Sequence, residues 1–122
     1  MTTGVCKTTL TGHTNTIYSL VINQNNELIS GSRDKTIRIW NMTTGVLKRT
    51  LNAHSDAVRA LVINKNNELI SGSWDNTIKF WNMTTGESSK ILTGHSNRVI
   101  VLVVNENNQL ISGSADKKII IW

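Results

Sequence analysis

A histidine, a serine and an aspartate recur together along this chain in a pattern that invites a hydrolytic reading. His13, Ser30 and Asp34 make the first set, His54, Ser71 and Asp75 the second, and His95, Ser112 and Asp116 the third. Such a trio supplies a nucleophile, a general base and the carboxylate that orients the base. The pattern argues against that chemistry, because every repeat carries the full set and an enzyme rarely needs one triad per repeat. No strand-to-helix elbow or oxyanion loop accompanies any of the serines. Zinc fares no better: the histidines stand 41 residues apart, with no second His or Cys at ligand spacing. Cys6 takes the place of Leu47 and Ser88 in the other copies and reads as a packing residue. No catalytic residue, metal or cofactor is expected.

The sets recur because the whole sequence does. Met1-Thr2-Thr3-Gly4 returns as Met42-Thr43-Thr44-Gly45 and Met83-Thr84-Thr85-Gly86, a period of 41 residues. Gly31-Ser32-Arg33-Asp34 returns as Gly72-Ser73-Trp74-Asp75 and Gly113-Ser114-Ala115-Asp116, and Trp40 returns as Trp81 and Trp122. The copies run 1–41, 42–82 and 83–122, without linker or tail.

Composition bounds the class. The 122 residues are 39% hydrophobic and 17% charged, which fits a folded domain rather than a disordered one. No apolar run approaches the roughly 18–20 residues that cross a bilayer. The sequence opens with neither a basic segment nor an apolar one, and its single cysteine cannot close an internal disulfide. A cytoplasmic setting is the expectation. A net charge of +5 allows acidic partners without identifying nucleic acid as one.

Within each copy the local signals are all β. Ile17–Ile22 is a short apolar run, Asn25-Asn26 can supply a tight turn, and Glu27–Ser32 reads as a second strand. Arg33-Asp34-Lys35 turns the chain into Thr36–Trp40, and Gly45 suits a left-handed turn before a fourth strand, Val46–Leu51. The run Val99–Val104 is apolar on both faces, so the first strand of each sheet belongs inside. Lys48, Arg49 and Thr50 place the fourth at the wet rim. Sheets stacked radially around an axis satisfy both demands.

The chain resembles the WD-repeat β-propellers along its whole length. The resemblance rests on Gly12-His13, Ala53-His54 and Gly94-His95, on the Ser-Gly-Ser-x-Asp turns, and on the Ile-x-Ile-Trp endings (Ile-x-Phe-Trp in the second copy). The family's Trp-Asp pair stands here as Trp40-Asn41 and Trp81-Asn82, a departure confined to the turn after the strand. The resemblance implies an all-β fold of propeller blades, three four-stranded antiparallel sheets per chain. It also implies a structural tetrad in each blade. Asp34, His13, Ser30 and Trp40 would be linked in the first, with Ser32 an alternative to Ser30. The others would be Asp75, His54, Ser71 and Trp81, and Asp116, His95, Ser112 and Trp122. Buried carboxylates and imidazoles need such complete pairing, since each unpaired group costs several kcal/mol.

Three blades fall short of the four to eight that usually close a ring. Val5–Leu10 reads as an outer strand without inner partners, and Ile119–Trp122 as a third strand without its outer one. Head-to-tail pairing of these segments between copies would complete the ring by homo-oligomerisation, as a six-bladed homodimer or a nine-bladed homotrimer. A seam of about 1,000 Å² would return about 25 kcal/mol gross, against association costs of about 4–15 kcal/mol. A piece of a longer propeller is the alternative.

The family's ligand positions, carried over by repeat position, are Thr16, Tyr18 and Arg33, then Ala57, Arg59 and Trp74, then Arg98, Ile100 and Ala115. These diverge between otherwise similar copies and include the residue types favoured at binding hot spots. The expected function is a non-catalytic scaffold for a peptide or protein segment of acidic or apolar character. Two alternatives stand beside it: an engineered or excised fragment with no ligand of its own, and polyanion or nucleic-acid binding through the same face. Lys35, Lys48, Arg49, Lys65, Lys79 and Lys90 look scattered around the rim rather than gathered in a stripe, which weighs against the last.

Overall fold

Alternating β-branched residues separated by asparagine- and glycine-bearing turns fold as hairpins throughout. The structure, a computed structural model, describes residues 4–122 and holds eleven strands among them. β1 (Ile17–Ile22), β2 (Glu27–Ser32), β3 (Thr36–Asn41) and β4 (Leu47–Asn52) form one sheet. β5 (Val58–Ile63), β6 (Leu69–Ser73), β7 (Ile78–Trp81) and β8 (Ser88–Leu92) form the next. The last contains β9 (Val99–Val104), β10 (Leu110–Ser114) and β11 (Ile119–Ile121). Each is an antiparallel meander paired in chain order. The third sheet has three strands, and no described strand lies beside the outer edge of β11. Val5–Leu10, expected as an outer strand, is not strand in the structure.

The turns show why asparagine is abundant. Asn26, Asn67 and Asn108 take left-handed φ values of 60°, 59° and 62°, which asparagine tolerates better than branched residues. Asn23 begins the turn, its carbonyl accepting from Asn26 N–H and its side-chain oxygen from the Asn25 and Glu27 amides. The connection is therefore organised by Asn23 and a single left-handed residue, not by Asn25-Asn26 as a pair. Asn41 works similarly after β3: its Oδ1 accepts from Thr43 N–H at 2.8 Å and Thr44 N–H at 3.1 Å, and Asn82 repeats the arrangement. A neutral side-chain amide thus closes the turn after β3 and its counterpart in the second repeat.

The inner strands β1, β5 and β9 lie side by side, and the core sits between sheets. Ile29, Ile37, Ile39 and Leu51 of the first sheet meet Val58, Leu61, Leu69 and Trp81 of the second. Ala60, Ile70 and Ile78 of the second meet Val99, Leu102 and Leu110 of the third. The outer strands are wet: residues 47–50 of β4 and 88–91 of β8 are exposed. Burial of both faces of the inner strand holds for β5, whereas Val101 and Val103 of β9 face outward on an uncovered flank.

Candidate functional site

Each histidine lies in the loop that enters a sheet's first strand, and each aspartate in the turn between its second and third. Hydrogen bonding joins the two across the sheet's upper end. His13 Nδ1 lies 2.8 Å from Asp34 Oδ2 and Nε2 lies 2.6 Å from Ser30 Oγ, while Trp40 Nε1–H donates to the same Oγ at 2.9 Å. In the second sheet His54 reaches Asp75 at 2.9 Å and Ser71 at 2.7 Å, with Trp81 donating to Ser71 at 2.8 Å. In the third, His95 reaches Asp116 at 2.8 Å and Ser112 at 2.7 Å, with Trp122 donating to Ser112 at 2.9 Å. Ser32, the alternative serine, is engaged elsewhere: its hydroxyl donates to the Thr16 carbonyl and accepts from Asp34 N–H.

The carboxylates are held ionised. Burial acts to raise the Asp34 pKa, but hydrogen bonds from Thr36, His13 and two backbone amides outweigh it and bring it well below the usual carboxylate range. Asp75 follows, with burial opposed by His54 and Thr77. In the third sheet Lys118 stands where Thr36 and Thr77 supply a hydroxyl, so Asp116 keeps the backbone bond without the side-chain one. There burial is opposed by His95 and the amides of Lys118 and Ser96, and the pKa falls to about 2. An ionised carboxylate only accepts, so each histidine Nδ1–H donates to its aspartate. This geometry cannot run acyl transfer, because the serine oxygens are buried and each already accepts an indole N–H. Among the described residues no group of three or more His, Cys, Asp or Glu could hold a metal ion.

Above the tetrads an aromatic and cationic cluster spans all three sheets. Trp74, in the turn between β6 and β7, has its ring 5.6 Å from that of Tyr18. The Arg98 guanidinium lies 4.1 Å from the Trp74 ring centre and that of Arg33 lies 5.6 Å away, while Arg59 sits 5.3 Å from Tyr18. Cation–π contacts of this kind contribute about 0.5–1 kcal/mol each at exposed sites. No ion pair involves Arg33, Arg59 or Arg98 among the described residues. Three guanidiniums therefore gather with no carboxylate in ion-pair contact among the described residues. Trp74 Nε1 is buried without a hydrogen-bond partner among the described residues.

A regular backbone defect places these side chains. In β1 the register passes from Ile17 opposite Ser32 to Ser19 opposite Gly31, leaving Tyr18 as the extra residue. Arg59 is skipped in the same way between Val58 and Ala60, and Ile100 between Val99 and Val101. A bulge re-aims its side chain away from the sheet, and repetition in every blade was not legible from strand alternation. Thr16, Arg33, Arg98 and Ala115 are exposed, and Tyr18, Arg59, Trp74 and Ile100 are half-buried. Ala57 requires a correction: it is fully buried, with its carbonyl accepting from Trp74 N–H, so it supports the face from beneath and offers no surface of its own. Four of the six scattered cations have local hydrogen-bond partners: Lys48 bonds Glu27, Lys65 the Glu106 carbonyl, Lys79 the Ala53 carbonyl, and Arg49 the carbonyls of Thr84 and Thr85.

Comparison with known proteins agrees with this architecture. The family model for the WD domain, G-beta repeat, matches residues 4–41, 45–82 and 86–122. Among solved structures, the chain is similar to the WD40 beta propeller domain of Doa1, with a TM-score of 0.83 and 25% sequence identity over 89% of its length. It spans 37% of the length of that structure.

Proposed function

Since the chain belongs to the WD-repeat family, we propose that it is a non-catalytic scaffold that grips an acidic peptide or protein segment on the face centred on Trp74. WD-repeat propellers are in general interaction scaffolds, which supports the coarse reading. The finer one rests on a single observation: Arg98 and Arg33 lie against the Trp74 ring, with no carboxylate partner among the described residues. Stacking presents the guanidiniums already oriented, which lowers the ordering cost of capturing carboxylates. Thr16, Tyr18, Arg59, Ile100 and Ala115 complete the proposed contact surface, and the tetrads hold the loops that carry it.

The reading includes three further parts. Residues 1–122 make up three repeats of an incomplete propeller unit, which associates head to tail with further copies into a ring. The setting is cytoplasmic, a reading supported by the lone exposed Cys6. No helix of the described residues is long and apolar enough to cross a membrane.

Fluorescence anisotropy with a labelled glutamate-rich peptide containing one aromatic residue tests the face. Trp74→Ala is expected to weaken binding at least tenfold while leaving the thermal midpoint within a few degrees. Equal affinity for both proteins, or no measurable binding to the wild type, overturns the proposal. A salt titration separates the polyanion alternative: an oligonucleotide held by counterion release loses affinity steeply between 50 and 200 mM salt.

A further inference from the structure

The repeat makes each sheet a template for the next, and at their lower ends the first two sheets differ by one charge. In the first, Asn23 Nδ2 donates to Glu27 Oε1 at 2.7 Å, and Oε2 pairs with the Lys48 ammonium. Lys48 is the residue that the β3–β4 register skips, so its side chain leaves the ladder and crosses to β2. In the second sheet Asn64 Nδ2 holds Glu68 Oε1 at 2.9 Å in the same way. Ser89 is the residue skipped between β7 and β8, and it stands where Lys48 does. Glu68 therefore keeps the held carboxylate without the cation. Among the described residues it forms no ion pair, and no hydrogen bond reaches its Oε2.

The place of the missing ammonium is open. Beside Lys48 the first sheet has a cleft of about 200 Å³ that Glu27, Asn41 and Thr43 also line. Their counterparts Glu68, Asn82 and Thr84, with Ser89, instead line a groove of about 590 Å³ between the first and second sheets, a volume typical of ligand sites. Both walls of this groove are internal to the pair of sheets, so it is not a flank that a neighbouring blade would cover. Ile39, Trp81 and Met83 give it an apolar lining. Its other charged groups are engaged: Lys48 with Glu27, and Arg49 with the Thr84 and Thr85 carbonyls. Asn25 and Asn82, both exposed, add side-chain NH2 groups that donate to no described residue.

We infer that this groove takes a lysine side chain from a peptide or protein segment, its ammonium on Glu68 as the Lys48 ammonium is on Glu27. The chain's own repeat identifies the chemistry, because the same asparagine-held carboxylate already binds a primary ammonium one blade away. A lysine brings three donors and a long apolar stem. Glu68 Oε2 and the Ser89 hydroxyl offer acceptors for the first, and Met83 and Trp81 offer apolar surface for the second. The occupant is a segment rather than a free amine, because the groove exceeds one side chain and Asn25 and Asn82 supply donors for backbone carbonyls. Glu68 precedes β6 and Trp74 follows it, so this site lies at the opposite end of the sheet from the Trp74 face and stands independently of it.

Titration of the nitrogen-15-labelled chain with the peptide acetyl-Ser-Ser-Lys-Ser-Ser-amide, followed by heteronuclear NMR, tests the inference. Saturable shifts centred on the Glu68, Thr84 and Ser89 amides are expected, with the Trp74 indole signal unmoved. Glu68→Gln should weaken binding by about fivefold or more. The fold tolerates that change, since Gln109 accepts the equivalent bond from Asn105 at 2.8 Å in the third sheet. Ser89→Lys, which restores the repeat's own cation, should abolish binding. Wild-type affinity in either variant, or equal binding of a peptide with norleucine in place of lysine, overturns the ammonium site. Butylammonium that binds as tightly as the peptide overturns the segment as occupant and leaves the ammonium chemistry standing. A lysine peptide that moves no signal, or only those around Trp74, overturns the inference and leaves the capture of acidic segments to its own titration.

Discussion

Asp75 accepts from His54, from Thr77 and from the Ser55 amide, so one carboxylate ties the loop before β5 to the turn before β7. Removing it takes the carboxylate acceptor from a buried imidazole N–H and leaves it only the longer Thr77 Oγ1 contact at 3.2 Å, which costs about 1–3 kcal/mol, and more where a charge was involved. Asp75→Ala is expected to lower stability by about 3 kcal/mol in urea unfolding; an unchanged midpoint would contradict the role assigned to it. The pH dependence follows from the same group. Its pKa is depressed on folding, so its contribution is complete above the unfolded value near 3.8 and is lost as pH falls below that. Asp116 gives way nearest the unfolded value, at about 2. Stability is therefore expected to show no loss from these carboxylates at pH 5 and to fall progressively between pH 4 and pH 2, followed by circular dichroism in urea.

The turn between the second and third strands of each sheet carries a left-handed residue: Lys35 at φ 76°, Asn76 at φ 76° and Lys117 at φ 71°. Lysine has no side-chain amide to favour that region, and the conformation costs an ordinary residue roughly 1–2 kcal/mol. Lys35→Asn and Lys117→Asn are expected to raise stability by about 0.5–1 kcal/mol each, read as an upward shift in thermal midpoint; a downward shift would contradict the strain. Much of this level was legible beforehand. Apolar runs of four to six residues, punctuated by asparagine and glycine, located the meanders to within a residue or two, as with β4, expected over Val46–Leu51 and found over Leu47–Asn52. The bulges at Tyr18, Arg59 and Ile100 were not legible, because a skipped register leaves no compositional mark. Nor was the burial of Ala57, whose carbonyl accepts from the Trp74 N–H across the turn. The hydroxyls of Thr36 and Thr77 likewise join the aspartates only once the turn is formed.

Across the molecule, two complete junctions bury their isoleucines and leucines while the two outer flanks leave the equivalent positions in solvent. The same sequence unit makes all four surfaces, so the difference lies in neighbours rather than in residue type. A large apolar flank and an uncovered strand edge are surfaces that soluble proteins usually cover. The cluster around Trp74 draws on all three sheets at once, so the proposed contact surface exists only while the blades remain stacked. Hydrogen exchange of the wild-type chain tests the whole account most directly, by comparing amides of β11 and β1 with those of β7 and β5. Closure predicts protection at the flanks matching that at the internal junctions, and declining on dilution. Flank amides that exchange freely at every concentration, beside slow junction amides, would contradict it.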